Sequence, residues 1–400
     1  MLFVVVLLAA GLLTWRLAGG DDTYRAAPPS SEVGTARPVQ AAATLRGLER
    51  AIATNDVAAA EALADDPSRG AVAALVSNAA AADLDDVTFR YVDALTEPNA
   101  SGVWSASVVV TWRFAGFDEV PSSAEVLFEF VNRPDSRSDE VLMSGVGGGD
   151  LRSPLWMDGP LEVQRGTGFV VTAPDAVDAR RYGQLARRAV GIVRRVLTDW
   201  QPQLVVEVAA NGVALERALD ADAGYYGQIA AVTGSGDGSI ADGSPIHVFV
   251  NPDVMNALGS TGQQVVLSHE ATHVATDAPR SQAPTWLVEG FADYVALRGT
   301  KLPPSLTAAQ IRDQVRRDGL PAALPAPGAF DTRTTHLGAT YESAWRVCVV
   351  IDSLAGSRAL VALYARLNRG DPLDSALRDE VGVTERELVR AWRADLSALP

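Results

Sequence analysis

The chain contains one cysteine, Cys348, and one lysine, Lys301, among its 400 residues. A single cysteine excludes an intramolecular disulfide and any cysteine-ligated metal cluster. It also leaves no cysteine near the N-terminus to carry a lipid. Cys348 lies in the apolar run WRVCVVI, where a thiol reads as a small core residue. Positive charge is short: 34 Lys and Arg face 49 Asp and Glu, for a net charge of −15. A nucleic-acid partner needs a clustered basic face, so that class is excluded. Electrostatic attachment to anionic lipid is disfavoured for the same reason. What is present is globular: 48% hydrophobic and 21% charged residues, in a length that suits two or three domains.

Only one stretch, MLFVVVLLAAGLLTWRLAGG (1–20), is long and apolar enough to engage a bilayer. It is short for a span of about 20 residues. It lacks the basic start of a signal peptide, and no A-x-A cleavage site follows it. The expectation is an N-terminal membrane anchor, with a cleaved signal and a secreted protein as the alternative. The body that follows is expected to be extracytoplasmic. Residues 21–39, which include YRAAPPSSEVGTARPV, have the Pro, Ser and Gly content of a linker.

A first unit is expected over 40–160. AATLRGLERAIATNDVAAAEALADD reads as helix, a break at Asn55–Asp56, and helix again, with Asp56 as an N-cap. In WSASVVVTWRF the residues Trp104, Ala106, Val108, Val110, Trp112 and Phe114 alternate with smaller or polar ones, as in a half-buried strand. Val126, Phe128 and Phe130 repeat the pattern, and EVLMSGV closes the series. Helices followed by a curved antiparallel sheet resemble the cystatin-like cone fold of scytalone dehydratase and its relatives. This unit has no histidine, and its acids show no paired spacing that stands out, so it is expected to be a spacer or recognition module, dispensable for chemistry.

The second unit, 165–400, opens with an amphipathic helix over 175–200, on which Tyr182, Leu185, Ala189, Val193, Val196 and Trp200 form one stripe. Short strands are expected in LVVEVAA, YYGQIAAV and IHVFVNP. The loop between the last two carries Asp237 and Asp242, but a calcium loop needs denser ligands, so a plain connection is expected. IHVFVN is the candidate edge strand on which an extended peptide pairs, with His247 an edge or rim residue.

LSHEATHV then places two of the four histidines, His269 and His273, four positions apart. On a helix starting at Gly259–Thr261 and stopping at DAP they share a face, one turn displaced, and their ring nitrogens can reach one metal. The next helix, PTWLVEGFADYVAL, starts at Pro284 and should return antiparallel. It brings Glu289, sixteen positions after His273, as a third ligand, and Asp293 one turn on as acceptor for a ligating imidazole. Gly290 inside that helix costs about 1 kcal/mol against alanine, which implies close packing against it.

HEATH followed by WLVEGFADY resembles the gluzincin metallopeptidases, and most closely the bacterial peptidase-MA-like family. The resemblance covers about 175–400, including the helical run from YESAWRVCVVI to the C-terminus. It implies zinc on His269, His273 and Glu289, Glu270 as general base, Asp293 behind the ligands, and hydrolysis of peptide or protein substrates. Tyr341 and His336 lie where gluzincins often place an oxyanion donor, and Tyr341 has the better claim. The expected whole is α+β: an anchor, a small helix-plus-antiparallel-sheet domain, and a zincin-like domain with a short mixed sheet, an active-site helix and a helical C-terminal part. The alternative is a non-catalytic zinc-binding interaction module, for which Glu270 would have no use.

Overall fold

The computed structural model describes residues 35–132, 140–331 and 334–400. The apolar segment 1–20 and the linker up to residue 34 lie outside them. Among the described residues no helix is long and apolar enough to cross a membrane. The chain is α+β, with fourteen helices and two sheets among those residues.

Helix α1 (Pro38–Thr54) begins on a proline, so it takes in the last residues of the expected linker. It stops at Asn55, whose backbone is left-handed with φ 51°. Asp56 caps α2 (Val57–Glu61) by accepting from the Ala59 N–H at 3.0 Å, as its sequence position predicts. After α3 (Arg69–Ala82) come β1 (Leu84–Ala94), β2 (Val103–Phe114), β3 (Ser122–Asn132) and β4 (Val141–Val146), paired antiparallel in that order. The alternating residues from Trp104 to Phe114 are all buried, as are Val126, Phe128 and Phe130. They close over Leu45 and Leu48 of α1 and Leu75 and Val76 of α3.

The second sheet is built from β5 (Glu162–Gly166), β6 (Phe169–Ala173), β7 (Leu204–Val208), β8 (Ala231–Gly234) and β9 (His247–Val250). The hairpin β5–β6 was not foreseen in the sequence. Between the strands run α4 (Ala176–Arg194), which stops short of residue 200, and α5 (Gly212–Leu219). The spatial order is β5-β6-β7-β9-β8. β6, β7 and β9 are parallel, while β5 and β8 pair antiparallel at the two edges. The edge on that side is therefore β8, and β9, expected at the edge, is interior. Loop 235–246 reverses the chain so that β9 inserts between β7 and β8. YYGQIAAV contributes only its last two residues to a strand, because 223–228 form turns.

Period-two alternation gives this sheet two buried faces. Phe169, Val171, Leu204, Val206, Val248 and Val250 pack on the helices of the second unit. Val170 and Val205 point the other way and belong to the hydrophobic cluster of the first unit. Asn78 of α3 donates to the Trp156 and Gly159 carbonyls, both at 2.8 Å, and Arg165 reaches the Ala82 carbonyl. The first unit is thus the back layer of the second sheet. Removing it would bare the apolar side chains it covers.

The rest is helical: α6 (Pro252–Met255), α7 (Ser260–Thr276), α8 (Thr285–Leu297), α9 (Pro304–Thr307), α10 (Ala309–Asp318), α11 (Leu337–Ala355), α12 (Ser357–Asn368), α13 (Leu373–Glu380) and α14 (Glu385–Ser397). α7 starts after Gly259 and ends at Asp277, left-handed with φ 53°. Pro284 caps α8 from outside. A Cβ on Gly290 would stand 2.4 Å from the Ala344 carbonyl oxygen and 3.1 Å from Cys348 Sγ. The glycine is there because α8 and α11 touch backbone to backbone, and Cys348 is fully buried beside it.

Candidate metal centre

His269 and His273 project from the same face of α7, and their Nε2 atoms stand 2.9 Å apart. The return of the chain through 277–284 lays α8 antiparallel to α7, so Glu289 lies opposite His273 and Asp293 opposite His269. Glu289 Oε2 is 3.3 Å from each Nε2. Asp293 Oδ1 is 2.8 Å from His269 Nδ1, and this fixes the imidazole with Nε2 turned towards the triangle. Ligands bonded tetrahedrally at about 2.0–2.1 Å are separated by roughly 3.3–3.4 Å. The two separations of 3.3 Å match that spacing, and the 2.9 Å between the imidazole nitrogens is shorter than it. Among the described residues this is the one group of His, Cys, Asp or Glu whose ligand atoms converge so closely.

The electrostatics suit a cation. Burial alone would drive a proton from His269, but Asp293 and Glu289 outweigh it and hold its pKa well above the ordinary value. Burial would raise Glu289, yet the two imidazoles hold its carboxyl well below the usual carboxylate range. His273 Nδ1 is buried without a hydrogen-bond partner among the described residues, so only one imidazole of the pair has a carboxylate behind it.

Glu270 lies beside the triangle and reaches the sheet. Its Oε2 accepts from Thr233 Oγ1 on the edge strand β8 at 2.7 Å. Burial raises its pKa above the ordinary value, although the neighbouring histidines and Thr233 oppose the shift. Tyr341 lies in the second turn of α11, not at its start, with its ring 6.2 Å from that of His269. Burial, then Glu289, Glu270 and Asp293, push its phenol above the ordinary tyrosine value, which keeps it a hydrogen-bond donor at neutral pH. Phe330 packs edge-on against Tyr341 at 5.5 Å. Phe330 also lines a cleft of about 950 Å³ whose opposite wall is Asp222–Tyr225 and Ile229, just before β8.

His336 is exposed at the N-cap of α11 and is not brought to the cluster. His247 is neither edge nor rim: its side chain is 1% exposed, between Asp118 and Glu207. Asp237 folds back on its own loop, accepting from the Ser239 N–H at 2.8 Å. Thr233, Asp118 and Glu207 carried no signal in the sequence. Each acts across a separation of at least 37 positions, and none belongs to a spaced motif. No protein-family model matches the chain, and no curated protein does either.

Proposed function

We propose that the protein is a zinc metallopeptidase of the gluzincin type, most similar to the peptidase-MA-like family, acting on peptide or protein substrates. The observation that carries this reading is the convergence of His269, His273 and Glu289 on one point, with the carboxylate of Glu270 beside them but outside the triangle. A zinc ion held there would supply Lewis acidity, bringing water towards ionisation near neutral pH and polarising a peptide carbonyl. Two imidazoles and one carboxylate are the donors such an ion takes in an open site. Glu270 takes the proton of the attacking water and returns it to the leaving amine. Its raised pKa suits a group that must both accept and donate. Tyr341 stays protonated and donates to the developing oxyanion. Among the described residues β8 has no strand on its outer edge, so an extended peptide pairs there and not on β9.

The non-catalytic alternative gives no reason for a buried carboxylate held by Thr233 beside three converging ligands. On this reading the zincin-like part and the cone-like first unit stand outside the cytoplasm, tethered by residues 1–20. The test is Glu270→Gln on the full ectodomain against a peptide library. Turnover falls by orders of magnitude while metal content stays the same. Equal turnover in the two forms, or none in the wild type, contradicts the proposal.

A further inference from the structure

We infer that Asp118 of the first unit is a positioning residue for the candidate active site, acting through His247 and the β9–β8 pair on Thr233 and Glu270. The inference rests on the reading of Glu270 as the general base. Three ionisable side chains meet at the back of the second sheet: His247 Nδ1 stands 2.7 Å from Glu207 Oε1, and His247 Nε2 stands 3.0 Å from Asp118 Oδ1. Their side chains are 1%, 5% and 3% exposed. No substrate reaches them, so they hold structure.

Asp118 is itself fixed, because its Oδ2 accepts from the Phe114 N–H at 2.8 Å at the end of β2. The Phe114 ring stands edge-on to the imidazole at 5.2 Å and 87°. With a carboxylate on each ring nitrogen, both nitrogens are donors and the ring cannot rotate or shift without leaving a buried charge unpaired. Removal of one partner of such a buried pair is far more costly than the pair is favourable.

His247 is the first residue of β9, and it pairs with Gly234 of β8, next to the Thr233–Val248 pair. β8 is four residues long and has β9 as its one strand neighbour among the described residues. Its position is therefore set by β9 on one side and by its packing on α7. The Thr233 hydroxyl on β8 then donates to Glu270, 2.7 Å from Oε2, with the backbone carbonyl also within reach at 3.1 Å. This chain of contacts ends on Glu270, which shares α7 with His269 and His273, while Glu289 and Asp293 hold the two imidazoles from α8. Loss of Asp118 should disturb the base and spare the metal triangle.

The experiment uses the full chain as wild type, Asp118→Ala, Asp118→Asn, Thr233→Val and the Asp118→Ala/Thr233→Val double variant. Metal content, kcat and KM on a short peptide, melting temperature and amide exchange over 231–234 are measured for each. Asp118→Ala should lower kcat about 10- to 100-fold, the scale of a misplacement near 1 Å, with KM and metal content unchanged and exchange over 231–234 faster. Asp118→Asn, which keeps an acceptor for His247, should lie between the wild type and the alanine variant, and it serves if the alanine variant does not fold. The double variant should lose little beyond the larger single loss, because both changes break one line of contacts. Multiplicative losses, unchanged kcat, or unaltered exchange over 231–234 would each overturn the inference. A wild type without peptidase activity would refute the proposed function instead, and the exchange of 231–234 would still decide whether Asp118 positions the edge strand.

Discussion

Replacement of Gly290 by alanine should separate the two halves of the candidate centre. The added Cβ would meet the Ala344 carbonyl oxygen at 2.4 Å and its carbon at 2.6 Å, both backbone atoms that cannot swing aside. Ordinary van der Waals contact begins near 3.4 Å, so α8 and α11 must part by about 3.4 − 2.4 = 1.0 Å at this point. Alanine gains about 1 kcal/mol in helix propensity, while overpacking a dense core costs about 1–3 kcal/mol. The net effect is a loss of up to about 2 kcal/mol. The functional loss should be larger than the stability loss suggests. Glu289 and Asp293 ride on α8 and Tyr341 on α11, so one displacement moves ligand, orienting acid and donor relative to each other. A 1 Å error in such geometry is worth about 100-fold in rate. The assay is a melting curve with and without chelator, together with zinc affinity and peptide turnover. A Gly290→Ala protein that melts at or above the wild-type temperature with full zinc affinity and turnover would refute the reasoning.

Three further outcomes are expected. Asp293→Ala should weaken metal binding about 10- to 100-fold, because His269 Nδ1 loses its acceptor; unchanged affinity under a competing chelator would make it an ordinary acid. Tyr341→Phe should lower kcat while leaving metal content intact, and equal kcat would remove the phenol from the mechanism. The third concerns pH. Burial would lower the pKa of His247, but Asp118 and Glu207 outweigh it and hold it at about 10, above an unfolded value of about 6.5. A raised value means that its stabilisation is fully present below about pH 6.5 and is lost as pH rises through about 10. Melting temperature should fall more steeply between pH 7 and 10 in the wild type than in His247→Gln; parallel curves would contradict the assignment.

The parts of this fold that were legible in the sequence are those with a local period. His269 and His273 share a helix face because four residues make just over one turn, and Asp293 follows Glu289 by the same interval. The alternation from Trp104 to Phe114 marked β2 for the same kind of reason. The order of strands in the second sheet has no local signature, so β9 read as an edge although β8 occupies it. Strand β8 itself has only four residues and follows a run of turns that resembles a strand in composition. The packing of the first unit on the second sheet has no local signature either. Val170 and Val205 look like any buried strand residues, and nothing nearby says that their partners lie before residue 160. Asp118 and His247 meet across 129 positions, a separation at which only the folded chain pairs them.

The central claim is that His269, His273 and Glu289 hold one zinc ion. Elemental analysis of the purified protein, beside its His273→Ala variant, tests it most directly. The account predicts one zinc per wild-type chain and an empty site in the variant, with both proteins folded by circular dichroism. Full zinc in His273→Ala, or a folded wild type that takes up no zinc when the ion is supplied, would contradict it.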